Sequence, residues 1–265
     1  MNDIVDMNSG SMTTNSSEIA IVRTSPIWLR PLESPTLIAL MVTLVICIWP
    51  VMRLLQARQQ RDGVRAIQKL GGSVQYDFQR PKSGNPFHFD RLAPAQGPDW
   101  LRHLLGDEHF QEVVYVELRA KPVTDEDLKE LKNFPYLENI ELNHTRITGL
   151  GLVHLSELRN LKYLTFWKTQ VDDEGLKHLA LLENISRLGL DETRITDAGL
   201  VYLKGLTNLE VGLGLNHTAI TDVGLEHLKD LKKLKQLSLR GTNVTDAGVR
   251  KLKLSLPQTE FLLDP

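Results

Sequence analysis

Along residues 113–265 the apolar positions recur as a leucine phrase closed by a threonine, and the phrase returns five times. Thr145, Thr169, Thr193, Thr218 and Thr242 fall 24, 24, 25 and 24 residues apart. The fullest copy reads Leu234-x-x-Leu237-x-Leu239-x-x-Thr242-x-Val244-Thr245-Asp246-x-Gly248. The alternation around Leu237 and Leu239 predicts a short strand with one face buried, and the apolar residues after Thr-Asp-x-Gly predict a helical return. Strand segments are expected from Val113, Leu137, Leu161, Ile185, Leu209 and Leu234, with a shortened seventh near Thr259–Leu263. In the copy from Leu161 the inward side chains are Leu161, Leu164, Phe166, Val171, Leu176, Leu179 and Leu182. One copy buries too little apolar surface to offset the entropy of ordering its own residues, so neighbours must stack and share the burial.

A period in the twenties with this leucine spacing is the signature of a leucine-rich repeat solenoid, an α/β architecture with a parallel sheet inside and helices outside. The Thr-Asp step has a local cause. Thr124, Thr148, Thr196, Thr221 and Thr245 stand where a helix needs an N-cap, with Asp172 in the remaining copy. Asp125, Asp173, Asp197, Asp222 and Asp246 follow at the positive end of the helix dipole. A calcium row is the competing reading of these carboxylates, but capping explains both residue types and Gly149 interrupts the row.

Ahead of the repeats, Thr36–Met52 is a run of 17 residues without a charge. At 1.5 Å per residue it makes about 26 Å of helix, enough for a bilayer core with flanking help. Trp28 and Trp49 sit near its ends, where interfacial aromatics belong. No basic stretch opens the chain and no small-residue cleavage site follows the run, so an uncleaved anchor is expected rather than a signal peptide. Arg53, Arg58, Arg61, Arg65 and Lys69 after the run outnumber Arg23 and Arg30 before it, which leans the repeats toward the cytoplasm. The organisation expected is a disordered tail (1–35), a transmembrane helix (36–52), a basic juxtamembrane helix closed by Gly71-Gly72 with its linker (53–97), and an N-terminal cap (98–112) built on Trp100, Leu101, Leu104 and Leu105. Six repeats and a truncated terminal one then fill 113–265.

Ile-Thr-Asp-Ala-Gly-Leu at Ile195–Leu200, nearly repeated at Ile220–Leu225 and Val244–Val249, resembles leucine-rich repeat proteins of bacteria that are membrane-anchored or exported. The stretch Ala66–Tyr76 is similar to the segment preceding the repeats in such proteins. A weaker resemblance reaches the repeats of eukaryotic F-box adaptors of ubiquitin ligases, although no F-box-like helical module precedes the repeats. The bacterial resemblance implies a curved sheet used for protein binding, and no reaction.

Residues flanking the strand leucines point out of the concave sheet and form four columns. The first runs Tyr115, Asn139, Tyr163, Arg187, Gly212, Gln236; the second Glu117, Glu141, Thr165, Gly189, Gly214, Ser238. The third runs Arg119, Asn143, Trp167, Asp191, Asn216, Arg240; the fourth Ala120, His144, Lys168, Glu192, His217, Gly241. Aromatics beside bare glycine backbone suit a binding hot spot, so Tyr163, Trp167, Lys168, Arg187, Asp191 and Glu192 are the candidate partner-binding residues. The competing reading has Trp167 and Tyr163 merely covering neighbouring strands.

Composition and motifs change this picture little. A net charge of −2 excludes a nucleic-acid binder driven by bulk electrostatics, and the single Cys47 excludes an internal disulfide framework. His144 and His217 share a column three strands apart, about 14 Å, too far for one metal ion. With no serine elbow, phosphate loop or Cys-x-x-Cys pair, neither a cofactor nor an enzymatic reaction is expected. The partners expected are a protein ligand on the concave face and the lipid bilayer at 36–52. One extra residue in Leu209–Leu215 predicts a bulge, and the truncated C-terminal edge is a candidate self-association site. The alternative functions are therefore a structural, self-assembling envelope protein and, behind it, a substrate adaptor of the ubiquitin-ligase type.

Overall fold

The computed structural model describes residues 35–80, 89–90, 93, 99–100, 102 and 110–264. The expected tail lies outside these residues, as do Leu101, Leu104 and Leu105 of the expected cap. By contacts the chain divides into Met1–Trp49 and Pro50–Pro265.

In the first unit the described part opens helix α1 (Pro35–Lys69), where the Thr43 hydroxyl donates to the Ala39 carbonyl at 2.8 Å. Residues 36–52 fall on this helix. Among the described residues, however, no helix is long and apolar enough to cross a membrane, so a bilayer span rests on the sequence alone.

The second unit is an eight-stranded sheet in chain order. Its strands are β1 (Ser73–Tyr76), β2 (Val113–Glu117), β3 (Asn139–Glu141), β4 (Tyr163–Thr165), β5 (Arg187–Gly189), β6 (Gly212–Gly214), β7 (Gln236–Ser238) and β8 (Glu260–Leu262). β1 runs antiparallel to β2, and every later pair is parallel. From β3 to β7 pairing begins two or three residues after the leucine expected to open each strand, because that leucine already turns into the core: Leu137, Leu161, Ile185, Leu209 and Leu234 are all fully buried. The extra residue of the 25-residue interval is absorbed ahead of β6. Glu210 and Val211 both donate their backbone N–H to the Ser186 carbonyl, and Arg187 still pairs with Gly212.

The returns on the far side are shorter than helices usually are. Residues Asp125–Asn133 and Gly149–Leu155 form 3-10 turns; α2 (Asp173–Leu176), α3 (Asp197–Leu200) and α4 (Asp222–Leu225) are single α turns; only α5 (Asp246–Ser255) reaches ten residues. A 24-residue period leaves no room for more once strand and turns are built.

Two hydrogen-bond ladders explain the repeat phrase. Each closing threonine folds its hydroxyl back on the carbonyl three residues earlier, as in Thr193 to Leu190 at 2.6 Å, and Thr145, Thr169 and Thr218 repeat the contact. The second ladder links repeats. Asp173 accepts from the Thr196 backbone N–H (2.8 Å) and hydroxyl (2.6 Å), and Asp125–Thr148, Asp197–Thr221 and Asp222–Thr245 do the same. The carboxylate therefore serves the next repeat's cap as well as its own helix dipole. It also dictates the glycine of Thr-Asp-x-Gly: a Cβ on Gly199 would lie 2.3 Å from Asp173 Oδ1, and on Gly224 2.3 Å from Asp197 Oδ1. Where the ladder loses its aspartate at Gly149, the next cap is Asp172, which bonds its own Gly175 N–H. A Cβ at 149 would lie 2.0 Å from Asp172 Oδ1, so an aspartate there would press two carboxylates together.

At the N-terminal end of the core, residues of 53–78 pack against the first repeat; most of the expected 98–112 cap lies outside the described residues. Ile67 is fully buried in the same cluster as Leu118, Leu128 and Phe134, with Val64, Leu70, Val74 and Tyr76 packed beside it. Buried Gln60 donates to the Gln111 carbonyl at 2.8 Å and accepts from the Val113 N–H at 3.2 Å. α1 ends as its Gly71-Gly72 predicts: Gly71 has φ +78°, and the Gly72 N–H returns to the Ile67 carbonyl at 3.0 Å. Trp100, by contrast, is 68% exposed. β1 satisfies the backbone of β2 along its edge.

Candidate recognition site on the open sheet face

Two of the four columns read from the alternation are registers of the sheet: Tyr115, Asn139, Tyr163, Arg187 and Gly212 pair in succession, as do Glu117, Glu141, Thr165, Gly189 and Gly214. The N-terminal end of this face is occupied by the chain itself. Phe89 stacks on Tyr115 at 5.3 Å between ring centroids, Tyr115 retains 9% exposure and Asn139 4%. Nothing in the strand pattern announced this contact, because Phe89 belongs to a proline- and glycine-rich segment without periodicity. The surface open to a partner therefore begins near β4.

Trp167, just beyond β4, is held in place from three sides. Its backbone N–H donates to Asn143 Oδ1 at 2.8 Å, its indole N–H donates to Glu192 Oε1 at 2.9 Å, and His144 packs edge-on at 4.4 Å. It is 36% exposed. An indole oriented before binding loses little rotamer entropy when a partner covers it.

The third column is a ladder as well as a surface. Asn143, Asp191 and Asn216 each present an Oδ1 to the backbone N–H one repeat on, at Trp167 (2.8 Å), Asn216 (3.0 Å) and Arg240 (2.9 Å). Asp191 thus has a structural task that its place in the column did not reveal. A Cβ on Gly214 would sit 2.3 Å from Asp191 Oδ2, so Gly214 is the residue that lets this carboxylate lie across the sheet.

The fourth column shares a backbone conformation. Ala120, His144, Lys168, Glu192, His217 and Gly241 all have φ between 51° and 63°. Five are not glycine, and left-handed backbone costs an L-residue about 1 kcal/mol or more. Gly241 was the one sequence signal for it. The turn directs the chain from strand to return and fixes where Lys168 and Glu192 emerge.

Two depressions lie side by side on this face. The first, about 270 Å³, has Gly189, Gly212 and Gly214 as bare floor and Trp167, Arg187, Asp191, Gln236 and Ser238 among its walls. Thr165 also lines it, and its hydroxyl oxygen is buried without a hydrogen-bond partner among the described residues. The second, about 370 Å³, is bounded by Trp167, Asp191, Glu192, Asn216, His217 and Arg240. Of the six candidate residues, Trp167 and Asp191 belong to both depressions, Arg187 to the first and Glu192 to the second. Tyr163 pairs with Arg187 across β4 and β5 but lines neither, and exposed Lys168 lines neither. Among the described residues no three His, Cys, Asp or Glu side chains gather as metal ligands.

Comparison with known proteins agrees with the geometry at the level of the repeat. No curated protein matches the chain. Solved structures similar to it include an internalin, inlF, of Listeria monocytogenes (23% identity, TM-score 0.45), with 52% of this chain covered but only 37% of that one. TLR13 in a complex with ssRNA13 is similar at 26% identity and TM-score 0.45 over 56% of this chain and 21% of that one. A leucine-rich repeat protein of Leptospira interrogans is similar at 19% identity and TM-score 0.38 over 51% and 38%. The family model described as Leucine Rich repeat matches residues 230–253, and the parallel strands β2–β8 with their short returns repeat the architecture of that segment.

Proposed function

We propose that this chain is a membrane-tethered recognition scaffold that holds a protein partner on the concave face of its repeats between β4 and β7 and catalyses no reaction. The observation that carries the reading is the glycine-floored depression beside Trp167. An aromatic wall, oriented by His144 and Glu192, stands next to backbone that a partner's side chain can approach closely. The tether is supported by the uncharged run 36–52, and the cytoplasmic placement by the arginines that follow it.

The test is photo-crosslinking of the full chain in its native membranes. A crosslinker replacing Arg187 should trap one discrete protein, and one replacing exposed Val201 on the helical side should not. Trp167→Ala should abolish the adduct, since truncating an interface aromatic removes about 2 kcal/mol or more. Folding should hold, because the side chain lies outside the leucine core. Leu164→Ala, fully buried, should instead lower stability by about 2–5 kcal/mol. Adducts from the helical side alone would refute the concave-face reading.

Self-assembly is the second reading, and it has one observation in its favour: β8 is the outermost strand of the sheet, and its outer edge pairs with no strand among the described residues. The edge is only three residues long, and so short an edge strand discourages edge pairing. Sedimentation across a concentration series separates the two, a concentration-dependent oligomer favouring assembly.

A further inference from the structure

The last repeats carry a charge pattern that the concave site does not use. Between residues 226 and 256 eight lysines and arginines face three acidic residues, in a chain whose formal charge is −2. Lys204, Lys229 and Lys253 occupy the same place in three successive repeats, each four residues after the apolar position of its Asp-x-Gly-Leu or Asp-x-Gly-Val step, and so stack as a column. Arg250 joins them one turn before Lys253 on α5. All four are exposed, and none of their side chains forms a hydrogen bond or ion pair among the described residues. The nearby acids are few: Glu226 is already paired with Lys251 at 2.6 Å, and Asp230 and Asp246 are the others.

α5 differs from every other return. It is the longest, and among the described residues no later return packs on its outer side. Val249, Leu252 and Leu256 face the core, which turns Arg250 and Leu254 outward, while exposed Lys253, four residues after Val249, borders the buried stripe. Leu254 is 85% exposed in the midst of these cations. A lysine near a helix C-terminus complements the dipole and explains single positions. It explains neither Arg250 nor a bare leucine at the centre of the group.

We propose that this face, formed by Lys204, Lys229, Arg250, Lys253 and Leu254, docks on an anionic lipid surface. Cations arranged around an exposed apolar side chain match a bilayer interface, where headgroup charge and shallow apolar contact occur together. The interaction is distinct from a tether at 36–52 and does not require the concave site.

The test places a fluorophore sensitive to polarity at Leu254→Cys in a Cys47→Ser background of the full chain. It is read with phosphatidylcholine vesicles with and without phosphatidylserine. Emission should shift to the blue with phosphatidylserine only, and 0.5 M salt should reverse the shift by screening. Replacing Lys204, Lys229, Arg250 and Lys253 by serine should weaken the response about five-fold per cation removed. A thermal melt confirms that the variant is folded. An equal response to both vesicles, or none, overturns the proposal. So does an equal shift produced by soluble poly-glutamate, which would assign the face to an acidic protein. Flotation of the full chain with pure phosphatidylcholine reads the tether separately, so failure of one reading is not mistaken for failure of the other.

Discussion

Replacing Gly199 by alanine tests the ladder that joins one repeat to the next. The new Cβ would lie 2.3 Å from Asp173 Oδ1 and 3.2 Å from the Asp173 Cα, so the carboxylate must leave its place. It then gives up its bonds to the Thr196 N–H and hydroxyl. Hydrogen bonds to a charged group are worth about 1.5–3 kcal/mol each, and partial exposure reduces the pair to about 2–4 kcal/mol. Alanine in a helical turn returns about 1 kcal/mol. The net expectation is a loss of about 1–3 kcal/mol, or roughly 3–10 °C in Tm for a domain of this size. Gly205→Ala is the control, since its nearest neighbour is the Ala180 carbonyl at 3.8 Å and its φ is not left-handed. That change should be neutral or stabilising by up to about 1 kcal/mol. Urea unfolding followed by circular dichroism measures both. The cycle with Asp173→Ala is decisive, because once the carboxylate is gone Gly199→Ala has nothing to displace and should add no further loss. A Gly199→Ala protein as stable as the parent, or additive with Asp173→Ala, would refute the ladder as the cause of the conserved spacing between aspartate and glycine within this chain.

Two further outcomes follow from the same geometry. Asp222 has its carboxyl held below the ordinary carboxylate range by the Thr245 hydroxyl first and the Thr245 backbone N–H second. Its contribution to stability is therefore present above about pH 4 and is lost as pH falls through the lower folded value, so Asp222→Asn should flatten the acid limb of Tm against pH. Glu112 acts in the opposite sense: burial pushes its carboxyl up despite Arg53 beside it, so what it contributes is present at low pH and lost as pH rises. Lys168 has φ +57°, and Lys168→Gly should stabilise by about 0.5–1 kcal/mol in urea unfolding. An unchanged or lower midpoint would show that the left-handed turn stores no strain there.

The sequence by itself determined the solenoid. A fixed period with leucines two and three apart admits one way of sharing burial between copies, and the alternation around each strand leucine fixed which residues share a column of the open face. It also determined the caps, since Thr148, Thr196, Thr221 and Thr245 accept N–H bonds where a helix start needs them. Gly71-Gly72 announced the end of α1 because only a residue free of Cβ strain ends a helix so readily at φ +78°.

What only the tertiary structure decided are contacts between residues about 24 or more positions apart with no periodic signal of their own. The aspartate of each Thr-Asp step reads locally as a dipole partner, yet it spends its oxygens on the next repeat, and the glycine after it is set by that crossing. Asp191 and Glu192 read from the sequence as candidate recognition residues, and the stacked repeats add a task to each: one braces Asn216 and the other orients Trp167. The strand that covers the backbone edge of β2 is β1, about forty positions earlier in the chain. Phe89 on Tyr115 closes one end of the open face from an irregular segment. Local chemistry specifies the repeat; which copy's side chain reaches which neighbour is specified only once the copies are stacked a strand's width apart.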